Sequence, residues 1–155
     1  MRKIDKIIVH CSVSEWGNVD VVRKWHLERN FSDIGYHFLI TNGYPTYNSY
    51  KKKKKVKKYI DLIQIGRDIR KMGAHAKGDN KNSIGVCMIG VKDFNFKPLY
   101  VLLHTLVDKY EIPVSNVLGH YEVKSGISQG KTCPNFDMDK IREYLVFLLL
   151  DSIGD

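Results

Sequence analysis

Two histidines and one cysteine occupy positions from which they could share a metal ion. His10 follows the apolar segment 4–9, His120 follows a short predicted strand over residues 114–118, and Cys133 precedes the last predicted helix. The ends of neighbouring strands meet at one edge of a sheet, so these side chains can converge there. Two imidazoles and a thiolate suit zinc, and three protein ligands leave a fourth position for water, as in catalytic sites. The sequence has no compact CxxC or HExxH array, so a structural role for either histidine stays open.

The pattern of apolar residues predicts the elements that would position these side chains. Strands are predicted over residues 4–9, 36–41, 59–65, 84–89 and 114–118, and helices over residues 19–29, 98–110 and 138–150. Asn18 and Asp137 suit the N-caps of the first and last helices, and Pro98 suits a first helical turn. Residues 67–83 lack periodicity and are predicted to be a loop. The order β-α-β-β-β-α-β-α predicts a single α/β domain with a mixed central β-sheet flanked by α-helices.

The positive charge of the chain is concentrated in one segment. The 155 residues carry 25 lysines and arginines against 17 acidic residues, which gives a formal net charge of +8. Seven of these charges form one tract: Lys51, Lys52, Lys53, Lys54, Lys55, Lys57 and Lys58. Without the tract the chain stands near +1, so the basic balance does not describe the whole surface and a nucleic-acid partner is disfavoured. A hydrophobic content of 43% with 27% charged residues excludes a disordered chain or a collagen.

The apolar segments and the cysteines indicate a cytoplasmic chain. The apolar stretch near the start, Ile7 to Val9, is too short for the core of a signal peptide. The longest apolar run, residues 144–150, is far shorter than the ~20 residues that cross a bilayer. Three cysteines are an odd number, which favours thiol, metal or core roles over a disulfide framework. We therefore expect synthesis in the cytoplasm without a transmembrane segment.

Six segments, in order along nearly the whole chain, resemble one family. They are IIVHCS (7–12), IGYHFLIT (34–41), IGRD (65–68), GAHAKGDNKNSIGVCMIG (73–90), GHYEV (119–123) and KTCPNFDM (131–138). Together they are similar to the zinc amidases, the family that contains phage lysozymes of the N-acetylmuramoyl-L-alanine amidase type and the peptidoglycan recognition proteins. The resemblance implies one zinc ion per chain, held in a surface groove, and bacterial peptidoglycan as the partner.

The resemblance also assigns roles to individual residues. It places the zinc ligands at His10, His120 and Cys133, and the two catalytic residues at Tyr36 and Lys131. Considered alone, Tyr36 could be a strand tyrosine at the edge of the sheet, and Lys131 could be a solvated lysine. Cys133 favours an enzyme, because non-catalytic recognition members of the family typically lack the cysteine ligand.

His75 is the one candidate for substrate binding. It lies in the GAHAKGDN segment, which in the family borders the substrate groove. His37 would point to the opposite face of a regular strand from Tyr36, so it is left out of the predicted site.

The lysine tract departs from the family pattern. Residues 44–58 form a longer connection than short phage amidases usually have, so the prediction is a single amidase domain over residues 1–155, with its core at about residues 4–150 and a lysine-rich inserted loop. The insertion could be a solvated loop. It could also attract an anionic envelope surface, such as peptidoglycan carboxylates or acidic lipid, or present aromatic residues to nucleic acid.

The resulting functional prediction is a zinc-dependent amidase that cleaves the bond between N-acetylmuramic acid and L-alanine in peptidoglycan. The most plausible source of such a chain is a phage or prophage, whose endolysin acts on the cell wall after release from the cytoplasm. One alternative is a non-catalytic peptidoglycan-binding module, which would bind murein without zinc and release no stem peptide. Another is an amidase that also regulates a phage RNA polymerase, which a pull-down with the polymerase would detect.

Overall fold

A mixed sheet forms the centre of the fold. A computed structural model describes residues 1–153, and within them five strands lie in the order β3-β2-β4-β1-β5. The strands are β1 (Lys6–Cys11), β2 (Phe38–Asn42), β3 (Ile60–Ile65), β4 (Ser83–Met88) and β5 (Val117–Gly119). β3 pairs antiparallel with β2, and the remaining pairs are parallel. The predicted α/β class and mixed sheet are confirmed.

Five α-helices and three short 3₁₀ turns surround the sheet in the described part of the chain. The helices are α1 (Val19–Glu28), α2 (Tyr47–Lys51), α3 (Lys97–Tyr110), α4 (Lys124–Ser128) and α5 (Met138–Ile153). The 3₁₀ turns are Lys57–Tyr59, Val114–Asn116 and His120–Glu122. No helix within residues 1–153 is both long and apolar enough to cross a membrane.

The predicted N-caps are present. The side chain of Asn18 accepts a hydrogen bond from the Val21 amide at 3.0 Å, which satisfies one of the free amides at the start of α1. Asp137 accepts one from the Asp139 amide at 2.9 Å at the start of α5. These local bonds begin both helices where the sequence predicts.

The central strands are buried on both faces. On one face, apolar side chains of the sheet pack against α3 and α5 in the largest core cluster, which includes Val9, Val86 and Leu103. On the other face, α1 packs over Leu39 and Ile89. Burial from both sides explains why β1 and β4 are apolar runs rather than alternating strands.

Three local predictions need correction. The insertion is not a plain loop, because it contains α2, whose first turn is closed by reciprocal hydrogen bonds between Thr46 and Ser49. The predicted strand at 114–118 is a 3₁₀ turn followed by only the short β5. The segment between β5 and Cys133, predicted to be a loop, contains α4, which is too short to show a helical period. Hydrophobic periodicity does not identify these short segments.

The register of the sheet determines which residues meet at its carboxyl edge. Val9 on β1 is opposite Gly119 on β5, so the next residues, His10 and His120, lie side by side. The same edge receives the end of β2, where Asn42 leads into the insertion. The lysine-rich segment and the two histidines therefore belong to one edge of the sheet.

Candidate metal centre and active site

His10, His120 and Cys133 converge at the carboxyl edge. Their potential ligand atoms lie within 4.8 Å of one another, and all three residues are buried. The ring centroids of the two histidines are 4.7 Å apart. The chain thus brings together the two imidazoles and the thiol that the sequence analysis selected, although their role as zinc ligands stays a prediction.

The turn that carries His120 is held by an ion pair with α5. Arg142 donates two hydrogen bonds to the Glu122 carboxylate, at 2.7 and 2.9 Å, and a third to the Val117 carbonyl at 2.8 Å. Glu122 also accepts from the Gly119 amide at 2.9 Å. This paired, bidentate contact fixes the backbone on both sides of His120.

The hydrogen bonds of the two imidazoles identify the nitrogens that remain for a metal. His10 Nε2 lies 2.9 Å from His75 Nδ1, and His120 Nε2 lies 3.3 Å from Ser125 Oγ. Each ring therefore has Nδ1 left to coordinate. Two imidazole nitrogens and one sulfur fit a zinc site that retains an open position.

The protonation states of the ligands also suit a metal. Burial, together with the nearby His75 and His120, lowers the pKa of His10 well below its usual value, so its ring is neutral. The Cys133 sulfur accepts a hydrogen bond from the Cys11 amide at 2.9 Å. The Cys11 side chain and burial raise the pKa of the Cys133 thiol. A metal ion would therefore have to displace the thiol proton.

Tyr36 lies beside His10, one of the three candidate ligands. Its ring centroid is 5.1 Å from that of His10, and the residue precedes β2 rather than lying within the strand as predicted. Its backbone is nevertheless held, because its carbonyl accepts from the Arg67 amide at 2.9 Å. Burial raises the pKa of the Tyr36 phenol well above its usual value, so the group is a neutral hydrogen-bond donor.

Lys131 lies in the exposed segment that leads to Cys133. Its amide donates to the Gly126 carbonyl at 2.8 Å, which anchors the segment to α4. Burial and the positive charge of Lys131 lower the pKa of His120. Its catalytic role stays a prediction.

His75 points inward to the candidate ligands. Besides its contact with His10, its Nε2 lies 3.2 Å from Ser83 Oγ, so both ring nitrogens have protein partners. Contact of this side chain with substrate stays a prediction. His37 is fully buried, and its Nδ1 accepts from the Gly85 amide at 3.0 Å.

The sequence analysis missed Ser125 and the Glu122–Arg142 pair. Glu122 lies within the GHYEV segment, which the resemblance had marked without giving this residue a role. Arg142 carried no local signal, because its contact with Glu122 joins α5 to a turn 20 residues earlier.

The fold is α/β, and its mixed sheet has two buried histidines and a buried cysteine at the carboxyl edge. These features define a candidate mononuclear metallohydrolase. A family model described as N-acetylmuramoyl-L-alanine amidase, Amidase_2, matches residues 1–136. The chain belongs to this family.

Individual relatives agree with the family match. The chain is 38% identical over 150 residues to the endolysin of Escherichia phage T7, a match that covers 88% of this chain and 83% of the relative. The solved N-acetylmuramoyl-L-alanine amidase LysC from Clostridium intestinale superposes with a TM-score of 0.70 at 25% identity, over 93% of this chain and 86% of that one. Drosophila PGRP-LB shares the fold, with a TM-score of 0.59 at 24% identity over 86% of this chain and 76% of that one. The predicted resemblance and the predicted enzyme, an N-acetylmuramoyl-L-alanine amidase, are confirmed.

Proposed function

We propose that this chain is a phage endolysin that holds one zinc ion at His10, His120 and Cys133 and uses it to cleave the amide bond between N-acetylmuramic acid and L-alanine in peptidoglycan. The convergence of these three buried side chains at one sheet edge carries the proposal. The match to a phage endolysin supports the biological setting. The protein would be made in the cytoplasm and would act on the wall after release.

The residues around the three ligands suit amide hydrolysis. When bound, zinc supplies a Lewis acid that polarises a carbonyl and makes water a better nucleophile at neutral pH. Tyr36 carries a neutral phenol beside His10, from which it can donate a hydrogen bond to the developing oxyanion or pass a proton to the leaving amine. Lys131 can place an ammonium near the same oxyanion, where negative charge develops in the transition state.

The decisive experiment couples metal analysis to product analysis. Purified protein is assayed for bound zinc by elemental analysis, and purified murein digested with it is analysed by mass spectrometry. We expect about one zinc per chain, free stem peptides that begin with L-alanine, and glycan strands that retain the lactyl group. Murein binding without released peptide would instead identify a non-catalytic recognition module, and products cut within the peptide or the glycan would contradict the amidase assignment.

We also propose that the lysine tract attracts the carboxylates of peptidoglycan. The insertion lies against the loop that follows β1: the Gly17 amide donates to the Tyr44 carbonyl at 2.8 Å, and the Asn42 side chain donates to the Glu15 carbonyl at 2.9 Å. The seven lysines are exposed, and among the described residues none forms an ion pair. A basic surface without ion pairs at this edge of the sheet would raise the local concentration of the protein at an anionic wall.

Replacing the seven lysines of the tract by glutamine should weaken binding to purified murein. We expect the association constant for murein to fall by at least about tenfold at low salt. The difference between variant and wild type should vanish near 1 M salt, where electrostatic attraction is screened beyond about 3 Å. Sedimentation of the protein with insoluble murein across a salt series measures this effect. An equal affinity of variant and wild type at low salt would leave the tract as a solvated segment.

A matched control separates the position of the charges from their number. The control replaces seven exposed lysines outside the tract by glutamine: Lys3, Lys24, Lys71, Lys77, Lys97, Lys109 and Lys140. Both variants lose the same formal charge. We expect the control to bind murein more tightly than the tract variant, and an equal loss in both would contradict a local role for the tract.

A further inference from the structure

His75, Ser83 and the candidate ligand His10 form a continuous chain of side-chain contacts. His10 Nε2 is 2.9 Å from His75 Nδ1, and His75 Nε2 is 3.2 Å from Ser83 Oγ. The rings of His10 and His75 meet edge to face, with centroids 5.0 Å apart. This series of side-chain contacts therefore connects the carboxyl end of β1 to Ser83 at the start of β4.

Only one arrangement of protons lets His10 coordinate a metal through Nδ1. The proton of its neutral ring must then reside on Nε2, from which it is donated to His75 Nδ1. His75 must in turn carry its own proton on Nε2 and donate it to the Ser83 hydroxyl oxygen. The two contacts are therefore consistent with a single tautomer of each ring, and that tautomer leaves the lone pair of His10 Nδ1 free.

The position of His75 is itself fixed by its surroundings. The Asn80 side-chain oxygen accepts from the amides of His75 and Ala76, each at 2.9 Å, which closes the loop beneath the ring. A Cβ atom at Gly85 would lie 2.6 Å from the ring, and one at Gly73 would lie 2.7 Å from it. The ring therefore lies against backbone at two places where a side chain would displace it.

We infer that His75 is a positioning residue that orients His10 for zinc and selects its metal-binding tautomer, with Ser83 holding the tautomer of His75. The inference rests on the zinc site proposed above and gives His75 a role other than substrate contact. Hydrogen bonds to the distal nitrogen of a ligating histidine fix its orientation and raise its basicity, and their loss typically costs about 10–100-fold in metal affinity or activity.

The test measures zinc binding by metal-free protein, without murein. Zinc alone is titrated in competition with a chromophoric chelator into wild type, His75→Ala, His75→Asn and Ser83→Ala. We expect His75→Ala to bind zinc about 10–100-fold more weakly than wild type. The amide oxygen of His75→Asn lies close to the position of Nδ1 and can accept from His10, so we expect affinity close to that of wild type. Ser83→Ala should show a smaller loss than His75→Ala.

A role in folding alone would give a different pattern. It would lower the melting temperature of the metal-free His75 variants and leave their zinc affinity unchanged. His104→Ala is the matched histidine control and should bind zinc as wild type does, because His104 Nε2 on α3 lies 3.4 Å from Ser152 Oγ on α5 and the residue is outside the candidate ligand set. If His75→Ala is unfolded, Ser83→Ala decides: it should bind zinc more weakly than both wild type and His75→Asn, and equal affinities for the three proteins overturn the inference.

The outcomes separate this inference from the proposed function. Tight zinc binding by wild type together with equal binding by His75→Ala would overturn the positioning role and leave the zinc amidase standing. Failure of wild type to bind zinc would overturn both. A loss in His75→Ala that His75→Asn restores supports the positioning role, because His75→Asn supplies a hydrogen-bond acceptor for His10 and His75→Ala does not.

Discussion

Cys133→Ser should reduce the hydrolysis of purified murein by at least about a thousandfold. Loss of the metal removes several kcal/mol of transition-state stabilisation, and about 4 kcal/mol corresponds to three orders of magnitude in rate. A serine hydroxyl is a poor zinc ligand because it remains protonated at neutral pH, whereas the cysteine can bind as a thiolate. His120→Ala should have an effect of the same size, since it removes one of three ligands.

The measurement is the release of stem peptide per enzyme, with zinc content determined on the same samples. His104→Ala is the control: His104 Nε2 on α3 lies 3.4 Å from Ser152 Oγ on α5, and the residue is outside the candidate ligand set. We expect this control to retain its zinc and most of its activity. Substantial zinc-dependent hydrolysis by Cys133→Ser would refute the assignment of Cys133 as a ligand.

The positions of the candidate ligands could be predicted because they depend on a simple property of parallel sheets. His10 and His120 each follow a strand, and adjacent parallel strands end at the same edge. For Cys133, the position before the last helix indicated only that it could reach this edge, because it lies in the segment after α4 rather than directly after a strand. Secondary structure was predictable where an element was long and apolar, as in β4 and α3.

The orientation of side chains could not be predicted in the same way. The sequence places His75 in an irregular segment, but the direction of its ring depends on Asn80 and on the two glycines against which it lies. These contacts join residues that have no periodic relation. The inserted segment is a similar case: its length and charge are evident from the sequence, but its place at the carboxyl edge of the sheet follows from the pairing of β2 with its neighbours.

Arg67 connects the loop that carries Tyr36 to the loop that leads to His75. Its side chain makes long-range hydrogen bonds that stabilise both loops near the site. The residue is only 8% exposed. Its guanidinium donates to three backbone carbonyls: Ile34 at 2.8 Å, Met72 at 2.8 Å and Asp33 at 3.2 Å. The bonds hold the segment before β2 against the segment that leads to His75. A planar group with five donors can serve three carbonyls at once, which neither lysine nor an apolar side chain can do.

Arg67→Met should therefore lower the free energy of unfolding by about 3 kcal/mol or more, because buried carbonyl groups lose a charged donor while the apolar bulk is kept. For a chain of this size that loss corresponds to a fall of roughly 6–12 °C in melting temperature. Urea denaturation of metal-free protein measures it. Arg70→Met is the control: Arg70 is exposed and, within residues 1–153, its one ion pair is with Asp68, so its replacement should change stability little. Equal stability of the two variants would show that the three carbonyl contacts do not hold these loops. A selective loss in Arg67→Met would show that Arg67 stabilises the loops around the candidate site through its bonds to backbone carbonyls, without a hydrogen bond to any of the three candidate ligands.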